Sequence, residues 1–245
     1  MDYNSLTPVF WVALILVLFA CGEASETASS PSTSTDAAAS DSVTYQGIDV
    51  SHYQGSVDWT SVKATGITFA FAKATEGDSE VDPEFSANWN GMKDAGIVRG
   101  AYHYFDPDDD AQTQAEHFIA TVQLEPGDLP PVLDIEVSDG VSVEGIDEDI
   151  KVWLETVAQA YGVTPIIYSD QSFLEEYLPS GFSAYPLWIA AYSETAPTAP
   201  GDWTAWTFWQ YADTGTVNGV NGAVDQDSYQ GTEADWKQLL VPEKH

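Results

Sequence analysis

Residues 130–136 have the sequence PPVLDIE, in which two acidic residues end a short apolar run. The apolar side chains of this stretch predict a β-strand that is buried on both faces. Successive side chains of a strand point to opposite faces, so Asp134 and Glu136 share one face while Ile135 points into the opposite layer. The stretch therefore predicts two carboxyl groups on the same side of a buried strand.

Two positions along a strand span roughly 6.5 Å, a separation at which two carboxyl groups can act on one glycosidic bond. One group would donate a proton and the other would stabilise charge. The alternative interpretation is that the acids end the strand at the surface, where charged side chains are ordinarily solvated. The apolar neighbours favour the catalytic interpretation, because an acid on a buried strand is costly unless it has a function.

The chain of 245 residues is long enough for one domain of α/β-barrel size and a tail. It carries 39 Asp and Glu against seven Lys and Arg, which gives a net charge of −32. This charge excludes a nucleic-acid-binding or other phosphate-binding surface. Because the acids are spread along the chain, we interpret them as a signal of solubility and environment, with a saline habitat as one explanation.

The cysteine and histidine content predicts neither a disulfide nor a metal site. Cys21 is the single cysteine, so an intrachain disulfide is excluded. The four histidines, at positions 52, 103, 117 and 245, form no zinc-ligand spacing with it.

The N-terminal segment predicts export and lipid anchoring. Residues 9–20 form an apolar run that is too short to span a bilayer and fits the core of a signal peptide over residues 1–21. The sequence LFACG at residues 18–22 resembles the lipobox of bacterial lipoproteins, which implies cleavage before Cys21 and attachment of a lipid to it. The run lacks a preceding Lys or Arg, and Phe19 is bulky for its position, so an ordinary secretory signal is the alternative.

Residues 22–44 are rich in Ser, Thr, Ala and acids, and they predict a disordered tether because they cannot bury enough apolar surface to fold. From residue 45 to residue 245 the pattern predicts a globular domain. Its apolar segments predict eight strands, at residues 47–51, 67–73, 97–105, 130–136, 163–168, 186–191, 205–211 and 222–227.

Helical patterns at residues 83–95, 111–122 and 148–161 separate the early strands. Alternating strands and helices predict an α/β fold with a TIM-like (β/α) barrel. The last connections contain Pro, Gly, Asn and Thr instead, so we expect the last strands to lack helices and to be partly antiparallel. Polar residues follow most of these strands, and the C-terminal ends of barrel strands carry the chemistry. They are Asp49, Lys73, Glu76, His103, Tyr104, Asp134, Glu136, Tyr168, Asp225 and Asp227.

Six motifs in order resemble the family 25 glycoside hydrolases, which are lysozymes built on a modified β/α barrel. They are GIDVSHYQG at 47–55, FAKATEG at 71–77, GAYHYF at 100–105, LDIE at 133–136, WQY at 209–211 and VD at 224–225. The resemblance implies hydrolysis of the β-1,4 bond after N-acetylmuramic acid in peptidoglycan, with net retention and without a metal or cofactor.

The resemblance also assigns roles to individual residues. Glu136 matches the general acid and Asp134 its partner carboxylate. Asp49 and Asp225 match two further acids that line the site, with hydrogen bonds that pin a loop as the alternative. The family often has Asn where this chain has Asp227, and an additional carboxylate there could alter the pH optimum.

Candidate sugar contacts are Tyr104, Tyr168, Trp188, Tyr192 and Trp209, with core packing as the alternative for each. Lys73 and Glu76 are candidates for substrate binding or for a structural ion pair at the barrel mouth.

Two other functions remain open from the sequence. A non-catalytic wall-binding protein could use the same scaffold, although it would have no need to keep four like charges together. A chitinase-like enzyme normally has a longer run of acids before its Glu, which residues 130–133 lack. The expected partners are peptidoglycan strands and, through the lipid on Cys21, a membrane; we expect a monomer that binds no nucleic acid.

The net charge predicts that salt stabilises the fold. The Debye length falls from about 10 Å at 0.1 M to about 3 Å at 1 M ionic strength, so NaCl should relieve self-repulsion. We expect the melting temperature to rise over this range, with roughly 2–4 °C for each kcal/mol relieved. Thermal unfolding followed by circular dichroism measures the effect, and a melting temperature that does not rise would contradict it.

Overall fold

The computed structural model describes residues 42–243 of the protein. The predicted signal peptide at residues 1–21, the lipidation site Cys21 and the tether up to residue 41 lie outside the described residues. Within residues 42–243, no helix has both the length and the apolar character needed to cross a bilayer.

The described residues form nine strands and six α-helices. The strands are β1 (Ser42–Val50), β2 (Phe69–Glu76), β3 (Glu80–Val81), β4 (Val98–Tyr104), β5 (Val132–Asp134), β6 (Ile166–Asp170), β7 (Leu187–Ala190), β8 (Phe208–Gly215) and β9 (Val224–Thr232). The helices are α1 (Trp59–Ala64), α2 (Phe85–Ala95), α3 (Ala111–Thr121), α4 (Val143–Tyr161), α5 (Gln171–Tyr177) and α6 (Glu233–Leu239).

Eight of these strands close into a barrel in the order β1-β9-β8-β7-β6-β5-β4-β2, and β2 pairs with β1 to complete it. The strands are parallel except β9, which runs antiparallel to both β8 and β1. The short β3 forms a hairpin with β2 outside this ring. The connections from β7 to β8 and from β8 to β9 contain no helix. The predicted irregular eight-stranded barrel is therefore confirmed, including its antiparallel end.

Aromatic side chains fill the inside of the barrel. Phe71 stacks on Trp188 with ring centroids 4.4 Å apart, and both rings are almost completely buried. Gly47 and Gly100 lie where a Cβ would come within 2.3 Å of the rings of Phe69 and Phe71, so any larger residue would collide with this filling. The barrel is thus a packed core rather than a pore.

A second apolar layer lies between the strands and the surrounding helices. It contains the alternate strand residues, such as Ile48 on β1 and Leu133 on β5, together with Trp153 of α4. Ile135 belongs to this outer layer, as the alternation of side chains predicted.

Several element boundaries differ from the prediction, including the starts of β1 and α4 and the end of β5. Strand β1 begins at Ser42, so residues 42–44, which the sequence assigned to the tether, pair with β9. Their composition, rich in Ser and Thr, did not predict a strand. They form one because the backbone of β9 supplies hydrogen-bonding partners. Helix α4 begins five residues before the predicted position because Ser142 caps its first turn. Strand β5 ends at Asp134, so Glu136 lies just beyond it.

Candidate active site

A cavity of about 230 Å³ opens at the mouth formed by the C-terminal ends of the parallel strands. It brings together the four predicted catalytic acids and most of the predicted substrate-binding residues. The predicted residues that line it are Asp49, Lys73, Tyr104, Asp134, Glu136, Tyr168, Trp188, Tyr192 and Asp225.

The strand register explains why acids far apart in the sequence meet here. Asp49 lies at the C-terminal end of β1, and Asp134 lies at the C-terminal end of β5. Because β9 is antiparallel, its first residues reach the same mouth, and Asp225 pairs directly with Asp49. The reversal of the last strand therefore adds a carboxyl group that a fully parallel barrel could not place there.

Asp134 and Glu136 form the pair predicted from residues 130–136. Asp134 is 7% exposed, and its Oδ1 receives no hydrogen bond within the described part of the chain. Burial raises the pKa of Asp134 well above its usual range, and the charges of Glu136 and Asp49 raise it further. Burial also raises the pKa of Glu136, while the nearby Tyr168 hydroxyl opposes this rise. The pair is thus poised to hold a proton.

Asp49 and Asp225 form a second pair across the cavity wall. Burial and the charge of Asp225 raise the pKa of Asp49, although Gln210 Nε2 donates a hydrogen bond to Asp49 Oδ2 at 2.8 Å. Burial, followed by the charge of Asp213, raises the pKa of Asp225 to about 6. The mouth therefore concentrates ionisable groups whose environments differ enough to separate their protonation states.

Gln210 is a site residue that the sequence analysis missed. Its Oε1 accepts hydrogen bonds from the hydroxyls of Tyr168 at 2.8 Å and Tyr192 at 3.0 Å, while its Nε2 binds Asp49. One amide thus fixes two tyrosines and one acid. Gln210 is part of the WQY motif at 209–211, but the sequence analysis named Trp209 of this motif as the candidate site residue.

Trp209 does not face the cavity, contrary to the prediction. Its indole Nε1 donates to the carbonyl oxygen of Ala191 at 2.7 Å, and its ring packs beside Trp206 on the outer side of the barrel. Side chains alternate along β8, so Phe208 and Gln210 point inward while Trp209 points outward. The sequence shows the alternation but not which of its two faces lies inside.

Lys73 and Glu76 form the ion pair that was one of the two predicted alternatives, with Nζ and Oε2 2.5 Å apart. Glu76 does not line the cavity. The Lys73 ammonium also lies 4.7 Å from the centroid of the Tyr104 ring. Lys73 is the only Lys or Arg among the lining residues of the described chain, so it supplies the positive charge nearest the acids.

Tyr53 is a second missed residue. It lines the cavity mouth with 82% of its surface exposed, and it packs against the His52 ring. His52 Nδ1 lies 2.7 Å from Asp82 Oδ2, which holds this rim in place. The predicted contacts Tyr168 and Trp188 are instead nearly buried and form the floor. Of the aromatic residues at the site, Tyr53 and the exposed Tyr192 offer the most ring surface.

A closed α/β barrel with an acid-lined cavity at its mouth defines the class of barrel hydrolases that act through paired carboxyl groups. The sequence model of glycosyl hydrolases family 25 matches residues 48–220, and the chain belongs to this family.

Relatives support the same assignment. The chain is 39% identical over 202 residues to Lysozyme M1 of Streptomyces globisporus, covering 77% of this chain and 69% of that protein. It is 43% identical over 204 residues to the uncharacterised protein YegX of Escherichia coli O157:H7, covering 81% and 74%. The crystal structure of the bacterial lysozyme from Streptomyces coelicolor superposes with a TM-score of 0.75 and 38% identity, covering 80% of this chain and 96% of that one.

The raised pKa of Asp225 predicts that its ionisation destabilises the fold. The folded protein holds the proton up to about pH 6, whereas the usual value is 3.8, so stability is lost as pH rises between these values. We expect the stability gain from Asp225→Asn to grow across this interval and then level off. Urea unfolding at constant salt measures it, with Asp94→Asn on the exposed side of α2 as the control for removing one surface charge. A gain that is the same at every pH would contradict this prediction.

Proposed function

We propose that this protein is a lysozyme that hydrolyses the β-1,4 bond between N-acetylmuramic acid and N-acetylglucosamine in peptidoglycan. The observation that carries the proposal is the convergence of Asp134, Glu136, Asp49 and Asp225 on one cavity. Membership of glycosyl hydrolases family 25 and the likeness to lysozymes support it. The activity is thus proposed from the site and agrees with the family.

Glu136 is the proton donor. Its carboxyl group is partly open to the cavity, and burial raises its pKa, so it can keep a proton that the departing sugar oxygen needs. The hydroxyl of Tyr168 lies within hydrogen-bonding reach of it and orients it. Once Glu136 has given up this proton, the resulting carboxylate can accept a proton from the water that attacks next.

Asp134 orients the substrate's own 2-acetamido group. Its Oδ1 is buried without a donor in the described chain, so the acetamido N–H would satisfy it. That hydrogen bond stabilises the anion of Asp134 and leaves the proton of the pair on Glu136. The acetamido oxygen then attacks the anomeric carbon as Glu136 protonates the leaving oxygen. Water opens the cyclic intermediate from the same side as the departed sugar, so the reaction proceeds with net retention.

The remaining site residues bind the substrate and adjust the charge around the catalytic pair. Asp49 and Asp225 supply negative charge that favours the protonated form of Glu136 and steadies the positive charge developing on the sugar ring. Tyr53 and Tyr192 provide exposed rings for sugar faces. Lys73 is placed to attract the lactyl carboxyl or the peptide stem of muramic acid.

The protein acts outside the cytoplasm. We propose that residues 1–21 are removed as a signal peptide, that Cys21 carries a lipid, and that the segment after it is a flexible tether which lets a monomeric catalytic domain reach the wall. The composition of this tether, which is poor in apolar residues, supports the assignment.

Replacing Glu136 tests the catalytic assignment. Glu136→Gln keeps the side-chain size but removes the proton donor, so we expect turnover to fall by about 10²–10⁴-fold while the melting temperature is kept. Release of reducing ends from purified peptidoglycan measures this, with the exposed Glu144→Gln on α4 as the control. Near-normal turnover in Glu136→Gln would reject the assignment.

The same assay distinguishes the other functions. Wild-type protein that releases reducing ends equally from chitin would be a chitinase-like enzyme. Protein that sediments with peptidoglycan but releases nothing would be a wall-binding protein.

Replacing Cys21 tests the anchor. Cys21→Ser should abolish incorporation of labelled fatty acid in the producing cell and move the protein from the membrane fraction to the soluble extracytoplasmic fraction. A variant that stays in the membrane fraction would argue for another means of attachment, and wild-type protein without label would favour an ordinary secretory signal.

A further inference from the structure

Asp227 is a fully buried acid to which the mechanism above gives no role. It lies on β9, two residues after Asp225, and therefore points into the barrel below the cavity. The indole Nε1 of Trp188 donates to its Oδ1 at 3.0 Å. Its Oδ2 receives no hydrogen bond from an N–H or hydroxyl group of the described residues. A carboxylate in that position would carry a full charge with a single donor.

Asp49 pairs directly with Asp225, so Asp227 is its diagonal neighbour on the same face of the antiparallel strands β1 and β9. This places the two carboxyl groups within hydrogen-bonding reach. Two ionised carboxylates at this distance repel each other, so a hydrogen bond between them requires that one keeps its proton. Asp49 already accepts a hydrogen bond from Gln210 Nε2 and is open to the cavity. Asp227 has no solvent exposure, and within residues 42–243 the indole of Trp188 is its only N–H or hydroxyl donor apart from a neighbouring acid. The two environments place the proton on Asp227.

We propose that Asp227 is a neutral carboxylic acid that donates its proton in a hydrogen bond to Asp49, and that it thereby favours the charged form of Asp49 and orients it beside the catalytic pair. Asp227 is a positioning residue, because it reaches the substrate only through Asp49. This inference rests on the proposed function, since it assigns Asp49 a role in that reaction.

The surroundings of Asp227 agree with a neutral acid. Burial, followed by the charges of Asp49 and Asp225, raises its pKa well above the usual range, and the hydrogen bond from Trp188 only partly opposes this. The ionisable groups close to it are Asp49 of β1, Tyr211 of β8 and Asp225 of β9. Lys73 of β2 is held at the rim by Glu76 and is not among them.

The proposal makes Asn the one substitution that should be tolerated. The side-chain oxygen of Asn can accept from Trp188 Nε1, and its NH₂ group can donate to Asp49, which reproduces both hydrogen bonds without a proton to lose. Leu has a similarly branched but larger side chain and supplies neither hydrogen bond. A comparison of Asp227→Asn with Asp227→Leu shows what the hydrogen bond to Asp49 contributes, with the melting temperature of Asp227→Leu as the check that the barrel accommodates the larger side chain.

The pH profile of kcat/KM on peptidoglycan distinguishes the two charge states. If Asp227 is neutral, Asp227→Asn leaves both limbs of the profile in place. Asp227→Leu should lower turnover roughly 10- to 100-fold and move the acid limb to higher pH, because Asp49 loses a donor that stabilises its anion. Asp225→Asn serves as the reference for removing a real charge and should move the alkaline limb to lower pH.

Two outcomes of the pH profile would overturn the proposal. An alkaline limb that moves to lower pH in Asp227→Asn, as in Asp225→Asn, would show that Asp227 is ionised and acts on Glu136 by repulsion. A profile and turnover in Asp227→Leu equal to those of the wild type would show that Asp49 does not need the hydrogen bond.

An infrared difference spectrum tests the proton without relying on activity. The spectrum of the wild type minus that of Asp227→Asn at neutral pH should contain the C=O stretch of a protonated carboxyl group, and carboxylate bands in its place would overturn the proposal. Because folded protein gives this spectrum whether or not it cleaves peptidoglycan, failure of the lysozyme assignment and failure of the Asp227 assignment can be told apart. The spectrum also decides the question if Asp227→Leu does not fold.

Discussion

The antiparallel pairing of β9 with β1 both closes the barrel and builds the acid cluster. Along this seam Asp225 lies opposite Asp49, while Asp227 lies deeper in the barrel and also faces Asp49. In a barrel of parallel strands only, the first residues of β9 would lie at the closed end. The direction of one strand therefore decides how many carboxyl groups share the mouth.

Desolvation of these carboxyl groups is the main electrostatic feature of the site. Burial is the largest cause of the raised pKa values of Asp49, Asp134, Glu136, Asp225 and Asp227. The protein offsets part of this cost with two neutral donors and one cation. Gln210 donates to Asp49 and Trp188 donates to Asp227, while the charge of Lys73 lowers the pKa of Asp134 and Glu136. Neutral donors stabilise individual carboxylates, but they do not remove the repulsion between carboxylates that keeps neighbouring carboxyl groups protonated. Acid catalysis at a glycosidic bond needs a protonated carboxyl group and an ionised one side by side.

The aromatic filling of the barrel gives this arrangement a rigid floor. Trp188 takes part in both the core packing and the acid cluster, because its ring stacks on Phe71 while its indole N–H donates a hydrogen bond to Asp227. The packing that stabilises the fold thus also fixes the direction in which the buried acid points. Rigid support of this kind limits the reorganisation that charges at the mouth require during a reaction.

The sequence by itself determined the barrel class, the shared face of Asp134 and Glu136, and the end of the strands at which the acids gather. It could do so because side-chain alternation and strand–helix alternation are local, periodic properties, and because the family motifs span most of the domain. Only the tertiary structure decided which face of β8 turns inward, and hence that Gln210 rather than Trp209 reaches the cavity. It also decided that residues 42–44 join the sheet and that Asp227 meets Asp49. These features depend on which strands are neighbours in the barrel. Pairing between segments far apart in the chain produces no periodic pattern in the sequence of either segment.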